Sequence, residues 1–264
     1  MATARLPDFQ LFSLKDDPDG LWVADADGEI AGFALSWVCG ELWFLAELFV
    51  ATSHQSRGVG NELLARTFEH AKKAGATNKG LITFSFNVVS QGLYIRHGLF
   101  PRLPIYLFSV AREALITRLK GGKLHATPIE PTPSHFKAMA QLDISTLGIS
   151  REKHHRYLLD DRTMKGILLH DGGDCTGYAY VSTTGRVGPL AVADARGMGA
   201  AFRTALDFAA ASGAAQVSAL LPGVSEALAI TIEHGMRISF PMVLMSTRGF
   251  GDWTRYLPRN PGFM

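Results

Sequence analysis

In this 264-residue chain, the residues whose types and spacing could do chemistry cluster between positions 47 and 97. Gln55-Ser56-Arg57-Gly58-Val59-Gly60 follows an apolar run at 41–50 and opens a stretch of helical periodicity. Glycines let backbone approach a phosphate closely, and the N–H groups of a helix's first turn point at it. The helix dipole favours an anion there, and Arg57 can add a charge-assisted hydrogen bond. Taken alone, such a glycine pair is weak evidence, and a tight turn with close packing is the plainer reading. Glu47 is a carboxylate inside the apolar run. It is a candidate proton acceptor, or else it faces solvent or pairs with an arginine. Tyr94 offers a phenol with a reference pKa of about 10, above a thiol's roughly 8.5, or simply a packing aromatic. Asn87 reads as a hydrogen-bonding residue at a strand end or as a helix cap. His54 and His97 have bland loop and helix-end readings. His154-His155 lacks partners at metal-ligand spacing, so no metal is expected.

The elements that must position these groups follow from punctuation. Apolar runs at 21–24 and 29–38 flank Asp25-Ala26-Asp27-Gly28, a hairpin signal, and Cys39-Gly40 leads into the run at 41–50. Leu63, Leu64, Phe68 and Ala71 recur at helical spacing in a helix over 59–74, ended by Gly75. A buried strand at 80–86, a helix at 89–97 and a strand at 103–110 complete the first half. Strand, helix and strand over 41–86 make a crossover, so those two strands should be parallel and the others antiparallel.

Lys120-Gly121-Gly122-Lys123 reads as a linker, after which the plan repeats. Arg57-Gly58-Val59-Gly60 corresponds to Arg196-Gly197-Met198-Gly199, Gly75-Ala76 to Gly213-Ala214, and His97-Gly98-Leu99 to His234-Gly235-Met236, all near one offset. The period is domain-sized, so this is a duplication with domains at 1–118 and 119–264. The first copy reads as short at its start, without an opening strand and part of a helix.

In this context the residues resemble the GNAT acetyltransferase superfamily, in its tandem two-domain type. Gln55, Gly58 and Gly60 match the family's Q/R-x-x-G-x-G/A, preceded by Leu48-Phe49-Val50. Tyr94-Ile95-Arg96-His97-Gly98-Leu99 resembles the later Y-x-x-x-G-F element. The resemblance implies an α+β fold: two GNAT-like domains, each a mixed, mostly antiparallel sheet flanked by helices. It also implies acetyl-CoA or another acyl-CoA as co-substrate. Backbone amides of Arg57, Gly58, Val59, Gly60 and Asn61 would hold the pyrophosphate, while Phe49 and Val50 would pair with the pantetheine arm, aided by Asn87. Glu47 would be the base for an attacking amine, and Tyr94 the acid for the departing thiolate.

The second copy departs from this pattern. Ala193, Asp194 and Ala195 precede Arg196, no glutamine matches Gln55, and Thr231 stands where Tyr94 stands in the first copy. Asp194 would repel a pyrophosphate, so this half reads as structural or as a wall for acceptor binding. The net charge of +2, without a basic stripe, argues against nucleic acid. No apolar run is long enough to span a bilayer, and a cytoplasmic protein without membrane partners is expected. Cys39 and Cys175 make no disulfide framework. A small-molecule or peptide amine is the expected acceptor, and a homodimer is compatible. The rival reading is a non-catalytic acyl-CoA-binding or sensing protein.

Overall fold

Residues 8–120 and 124–264 are described in a computed structural model of the chain. Of the expected linker, 121–123 lie outside the described residues. The first half contains α1 (Asp8–Asp16), β1 (Leu21–Ala26), β2 (Glu29–Cys39), β3 (Leu42–Val50), α2 (Val59–Lys73), β4 (Asn78–Phe84), α3 (Val88–Arg96), β5 (Phe100–Ala111) and α4 (Arg112–Ile116). The second contains β6 (His125–Pro128), α5 (Pro133–Leu147), α6 (Glu152–Asp160), β7 (Met164–Asp171), β8 (Asp174–Ser182), β9 (Arg186–Val192), α7 (Met198–Ala211), β10 (Gln216–Pro222), α8 (Ala227–Glu233), β11 (Arg237–Ser246) and β12 (Tyr256–Leu257).

The expected α+β plan is present in both halves. β1–β2–β3 is an antiparallel meander, and β3 pairs β4 in parallel, as the crossover through α2 requires. In the second half β7–β8–β9 is the meander and β9 pairs β10 in parallel. The halves share a single sheet of order β1-β2-β3-β4-β11-β5-β10-β9-β8-β7-β6, with β12 paired to β9. Each half's last strand has crossed into the other: β11 lies between β4 and β5, and β5 between β11 and β10. Nothing in the strand patterns signalled this exchange, because β5 and β11 are equally apolar and either could fill either slot.

Other differences are local. The first half opens with α1, where a strand and part of a helix were expected to be missing. Phe9 and Phe12 of α1 pack on Tyr157 at ring-centroid distances of 5.8 and 4.7 Å. No strand among the described residues precedes β1. β4 ends at Phe84 rather than 86, because the chain turns through Ser85 to Asn87, whose amide bonds the Phe84 carbonyl. β11 begins at Arg237, drawn into the sheet by pairing with β5 despite Pro241.

α2 forms because Leu63, Leu64, Thr67 and Ala71 recur on one buried face. Fully burying each leucine contributes about 1.5–3 kcal/mol. Three basic residues, His70, Lys72 and Lys73, fill its last turn. Trp43, Leu45, Leu81, Tyr94 and Met245 meet α2 on one face of the first-half sheet. The opposite face belongs to a larger core that joins both halves, from Trp37 and Phe44 to Met139, Tyr178, Tyr256 and Phe263. The chain's last residues thus pack against its first domain. A Cβ on Gly262 would sit 2.7 Å from the Ala46 carbonyl oxygen, and the Trp37 indole donates to the Gly262 carbonyl.

Charge is buried inside that shared core. Asp143 accepts hydrogen bonds from Arg151 (3.1 Å), the Tyr178 hydroxyl (2.5 Å) and His155 (3.0 Å), and Arg151 also reaches the Met264 carbonyl oxygen. These partners hold the Asp143 carboxyl well below the usual carboxylate range despite full burial. His154 is also fully buried, edge-on to Trp37 at 4.8 Å, and neither ring nitrogen has a hydrogen-bond partner among the described residues. Burial pushes its pKa well below the ordinary histidine value, and that of His155 is lowered for the same reason.

Because both histidines fold neutral, the unfolded chain binds more protons below about pH 6.5. Their contribution to stability is complete above that pH. It falls by about 1.4 kcal/mol per pH unit for each histidine as pH drops towards its lower folded value. His154→Phe, placed among Phe12, Trp37 and Phe263, should therefore flatten the pH dependence of urea-unfolding free energy between about pH 6.5 and 5. Parallel wild-type and variant curves would contradict this.

Candidate active site

The site begins where β3 and β4 part. Their parallel register runs from Leu42 opposite Asn78 only to Leu45 opposite Leu81. Beyond it, β3 continues along β2 to Val50, and β4 continues along β11 to Phe84. A gap therefore opens between 46–50 and 82–84, with β3 backbone that has no partner in β4. Beside the gap β3 carries a bulge: Ser36 faces Leu45 and Leu35 faces Glu47, leaving Ala46 as the extra residue.

The bulge re-aims Glu47. Without it, alternation would turn Glu47 towards α2 with Trp43 and Leu45. With it, Glu47 shares the face of its partner Leu35 and of Trp37, the face turned away from α2. There the Glu47 Oε1 accepts a hydrogen bond of 2.7 Å from Gln10 of α1. Its Oε2 is buried and has no hydrogen-bond partner among the described residues. Gln10 was missed in the sequence, because α1 is short and its only signal is the pair Phe9 and Phe12.

On the α2 face lies the glycine loop. Gly58 adopts φ 87°, a left-handed conformation that favours glycine, and Ser56 adopts φ 61°. This turn starts α2 without a side-chain cap. The amides of Arg57, Gly58, Val59 and Gly60 donate to no backbone carbonyl among the described residues. Asn61 departs from the expected set: its N–H already bonds the Gly58 carbonyl at 3.0 Å, and its side chain bonds His97 at 2.8 Å. The cradle of unbonded amides is therefore Arg57 to Gly60. Gln55 stands behind it, its Nε2 donating to the Val50 carbonyl at 3.2 Å, which ties the loop to the strand end. Arg57 is exposed, and no ion pair among the described residues involves it. Space at Gly58 is open, with nothing within 4 Å of a Cβ placed there. Gly60 packs near Val50 and Leu93.

Asn87 caps α3, its Oδ1 accepting from the Ser90 amide at 3.1 Å, so the plainer of its two readings describes its side-chain oxygen. Tyr94 lies in the same helix on the α2 face, 5% exposed, among Leu45, Leu64, Leu81 and Met245. Burial pushes its phenol up to about 12, against a side-chain hydrogen bond with Ser90 that lowers it. The structure thus brings the glycine loop and Tyr94 to one side of the gap and Glu47 to the other. Phe49 and Val50 line the gap as neighbouring strand residues, Phe49 largely exposed. The His54 ring bonds the neighbouring Ser53 hydroxyl at 2.9 Å, and its amide donates to the Ala51 carbonyl.

The second half shows what a filled loop looks like. Asp194 Oδ1 accepts from the Arg196 amide at 2.9 Å, and the Asp194 carbonyl accepts from the Gly197 amide at 3.0 Å. The Arg196 guanidinium closes on the same carboxylate, whose pKa these bonds hold down to about 2. An internal anion thus takes the amide that an external one would need. Gly197 is right-handed at φ −79°, so the turn that frees amides in the first half is absent here. Thr231 is fully buried, and its hydroxyl donates to the Leu228 carbonyl. A cleft of about 530 Å³ beside it is lined by Arg196, Arg203, Glu226 and Glu233, a set of mixed charge. No group of histidine, cysteine or acidic residues among the described residues could hold a metal ion. No helix among them is long and apolar enough to cross a membrane.

The chain is similar to known proteins in sequence and in fold. The model of the acetyltransferase (GNAT) family matches residues 2–99. An uncharacterized N-acetyltransferase of Methanocaldococcus jannaschii is 31% identical over 87 residues, covering 27% of this chain and 38% of that relative. The chain therefore matches well under half the length of this curated relative. Among solved structures, an acetyltransferase-like protein of Pyrococcus horikoshii aligns with a TM-score of 0.76 at 17% identity, over 94% of this chain and 81% of that one. A tandem GNAT protein from the clavulanic acid biosynthesis pathway aligns with a TM-score of 0.61 at 15% identity, over 93% and 89%. At these identities the structures speak for the fold alone. Residues 2–99 match the GNAT acetyltransferase family, and the described residues have the tandem two-domain form of the GNAT fold.

Proposed function

We propose that this chain is an acyl-CoA-dependent N-acyltransferase that moves an acetyl group from acetyl-CoA to an amine acceptor. One observation carries the reading: the left-handed Gly58 leaves four successive amides, Arg57 to Gly60, unbonded at the mouth of a gap between parallel strands. Unbonded amides at a helix start favour a diphosphate. The unpaired backbone of Phe49 and Val50 can take an extended amide-bearing arm as an added strand. Bound there, the thioester supplies the acyl group, and the residues on either side manage protons.

A neutral amine is the nucleophile, so the ammonium form must first lose a proton. Glu47 can accept it through Oε2, while Gln10 holds Oε1. As the amine nitrogen bonds the thioester carbonyl carbon and the C–S bond breaks, the nitrogen gives up its second proton to solvent and negative charge passes to sulfur. Tyr94 keeps its own proton at neutral pH. Full transfer from a phenol near 12 to a thiolate whose thiol has a pKa of roughly 8.5 is uphill. Its role is therefore to donate a hydrogen bond to the leaving sulfur, which takes its proton from solvent. Acid by full transfer, as its ordinary pKa suggested, is the weaker description. The second half, with Asp194 in its own loop, serves as scaffold and acceptor wall.

The rival reading, a binder without turnover, leaves the orphaned Glu47 oxygen without a role. Saturable acetyl-CoA binding with no thiol released in the presence of any of a panel of amines would favour it. Gly58→Glu should weaken acetyl-CoA binding at least about 100-fold by titration calorimetry, through lost backbone freedom and like charge. Gly197→Glu should leave it unchanged. The reverse pattern would move the cofactor to the second half. Glu47→Gln should lower kcat/KM at pH 7 by roughly 100-fold, with the deficit shrinking as pH rises and the amine deprotonates unaided. A pH-independent deficit would remove Glu47 from the proton path.

A further inference from the structure

The strand ends around Glu47 carry an unusual set of side chains. Phe33 of β2 lies directly opposite Phe49 of β3, with ring centroids 5.3 Å apart. Both share the face of Glu47, since residues two apart on a strand point the same way. Across the gap, Phe84 of β4 follows Ile82, and Phe240 of β11 precedes Met242, and both of those inner residues belong to the core on this same face. Phe84 packs edge-on to Phe240 at 5.6 Å and stacks on Phe86 at 5.1 Å. Phe49, Phe84, Phe86 and Phe240 are 60, 37, 60 and 45% exposed. Large exposed aromatics gathered on one face mark an interaction site.

We infer that this face is the acceptor subsite and that the acceptor is a monoamine carried on an apolar or aromatic body. This rests on the reading of Glu47 as the group that faces the reacting amine. Among the strand positions Phe33, Glu47, Phe49, Phe84 and Phe240, one carries a charge, and its Oε2 has no partner. A single unpartnered carboxylate oxygen, on a sheet face that otherwise presents aromatic rings, complements one ammonium on an apolar group. The rings bind the body and attract the cation through their quadrupoles. A polyamine would find no second carboxylate among these positions for its further charges, and a sugar would leave its hydroxyls without partners. Selection therefore comes from rings on two strands on either side of the gap, and Phe86 and Phe240 are specificity-determining residues outside the cofactor cradle.

The same apolar surface could take a long acyl chain from the thioester, and the test separates the two sources. Thiol release by the full chain is measured with acetyl-CoA and matched amines: phenethylamine and tryptamine against ethanolamine, glucosamine and spermidine. A third arm pairs octanoyl-CoA with ethanolamine. Aryl-alkylamines are expected to give at least tenfold higher kcat/KM than the polar amines. Phe86→Ser and Phe240→Ser should remove most of that advantage through KM while acetyl-CoA affinity holds within twofold. Equal kcat/KM across the amines, or a preference for octanoyl-CoA that these variants abolish, would overturn the inference. If no amine releases thiol, the catalytic reading fails separately, and tryptamine binding to the CoA-saturated protein decides this one. Binding weakened by both variants supports it, and no binding, or binding indifferent to them, overturns it.

Discussion

Two parallel strands that stop pairing after four residues impose the constraint on which this molecule turns. Past Leu45 and Leu81, β3 and β4 each keep one neighbour and lose the other. Backbone N–H and C=O groups left facing such a gap need a partner, from water or from a ligand that is itself extended and amide-bearing. The gap also divides the chemistry. A helix start with unbonded amides and a buried phenol stand on one face, and a half-satisfied carboxylate on the other. Only a group lying in the gap can meet both. The bulge at Ala46 makes the arrangement work, since one extra residue turns Glu47 away from α2 and brings Leu48 and Val50 to the α2 side.

The remainder of the chain holds that gap in shape. β11 from the second half pairs β4 along its length, so the far wall of the gap is built by the other domain. The tail around Gly262 closes on the bulge itself, and Phe263 and Met264 anchor it in a core that contains Arg151 and Asp143. Removing one partner of a buried pair such as Arg151 and Asp143 typically costs about 3–5 kcal/mol, and here it would loosen the wall behind Glu47. A second domain that has filled its own amide cradle with Asp194 is thus no idle copy, because it supplies a strand, a lid of core and a tail to the first.

Much of this was legible in the residues. The glycine loop, the crossover from 41 to 86 and the duplication all rest on local signals: glycine where φ is positive, apolar periodicity, and punctuation repeated at one offset. The weakness of the second loop was legible too, since Asp194 is a charge of the wrong sign in the place of an anion. The exchange of β5 and β11 was hidden, because pairing partners of equally apolar strands are decided by tertiary packing. The bulge was hidden as well. Alternation in Leu42–Val50 is blurred by a run of apolar residues on both faces, and the side on which Glu47 points depends on a single unpaired alanine. Gln10 and the aromatic set could not be assembled from the chain alone, since five strand ends and loops contribute one or two residues each.

The central claim is that the amides opening α2 meet a diphosphate. The most direct measurement is the backbone amide spectrum of the 15N-labelled chain titrated with coenzyme A. Saturable shifts should concentrate at Arg57, Gly58, Val59 and Gly60, with Arg196 to Gly199 unmoved. A titration that leaves those four still, or that moves the second set instead, contradicts the account.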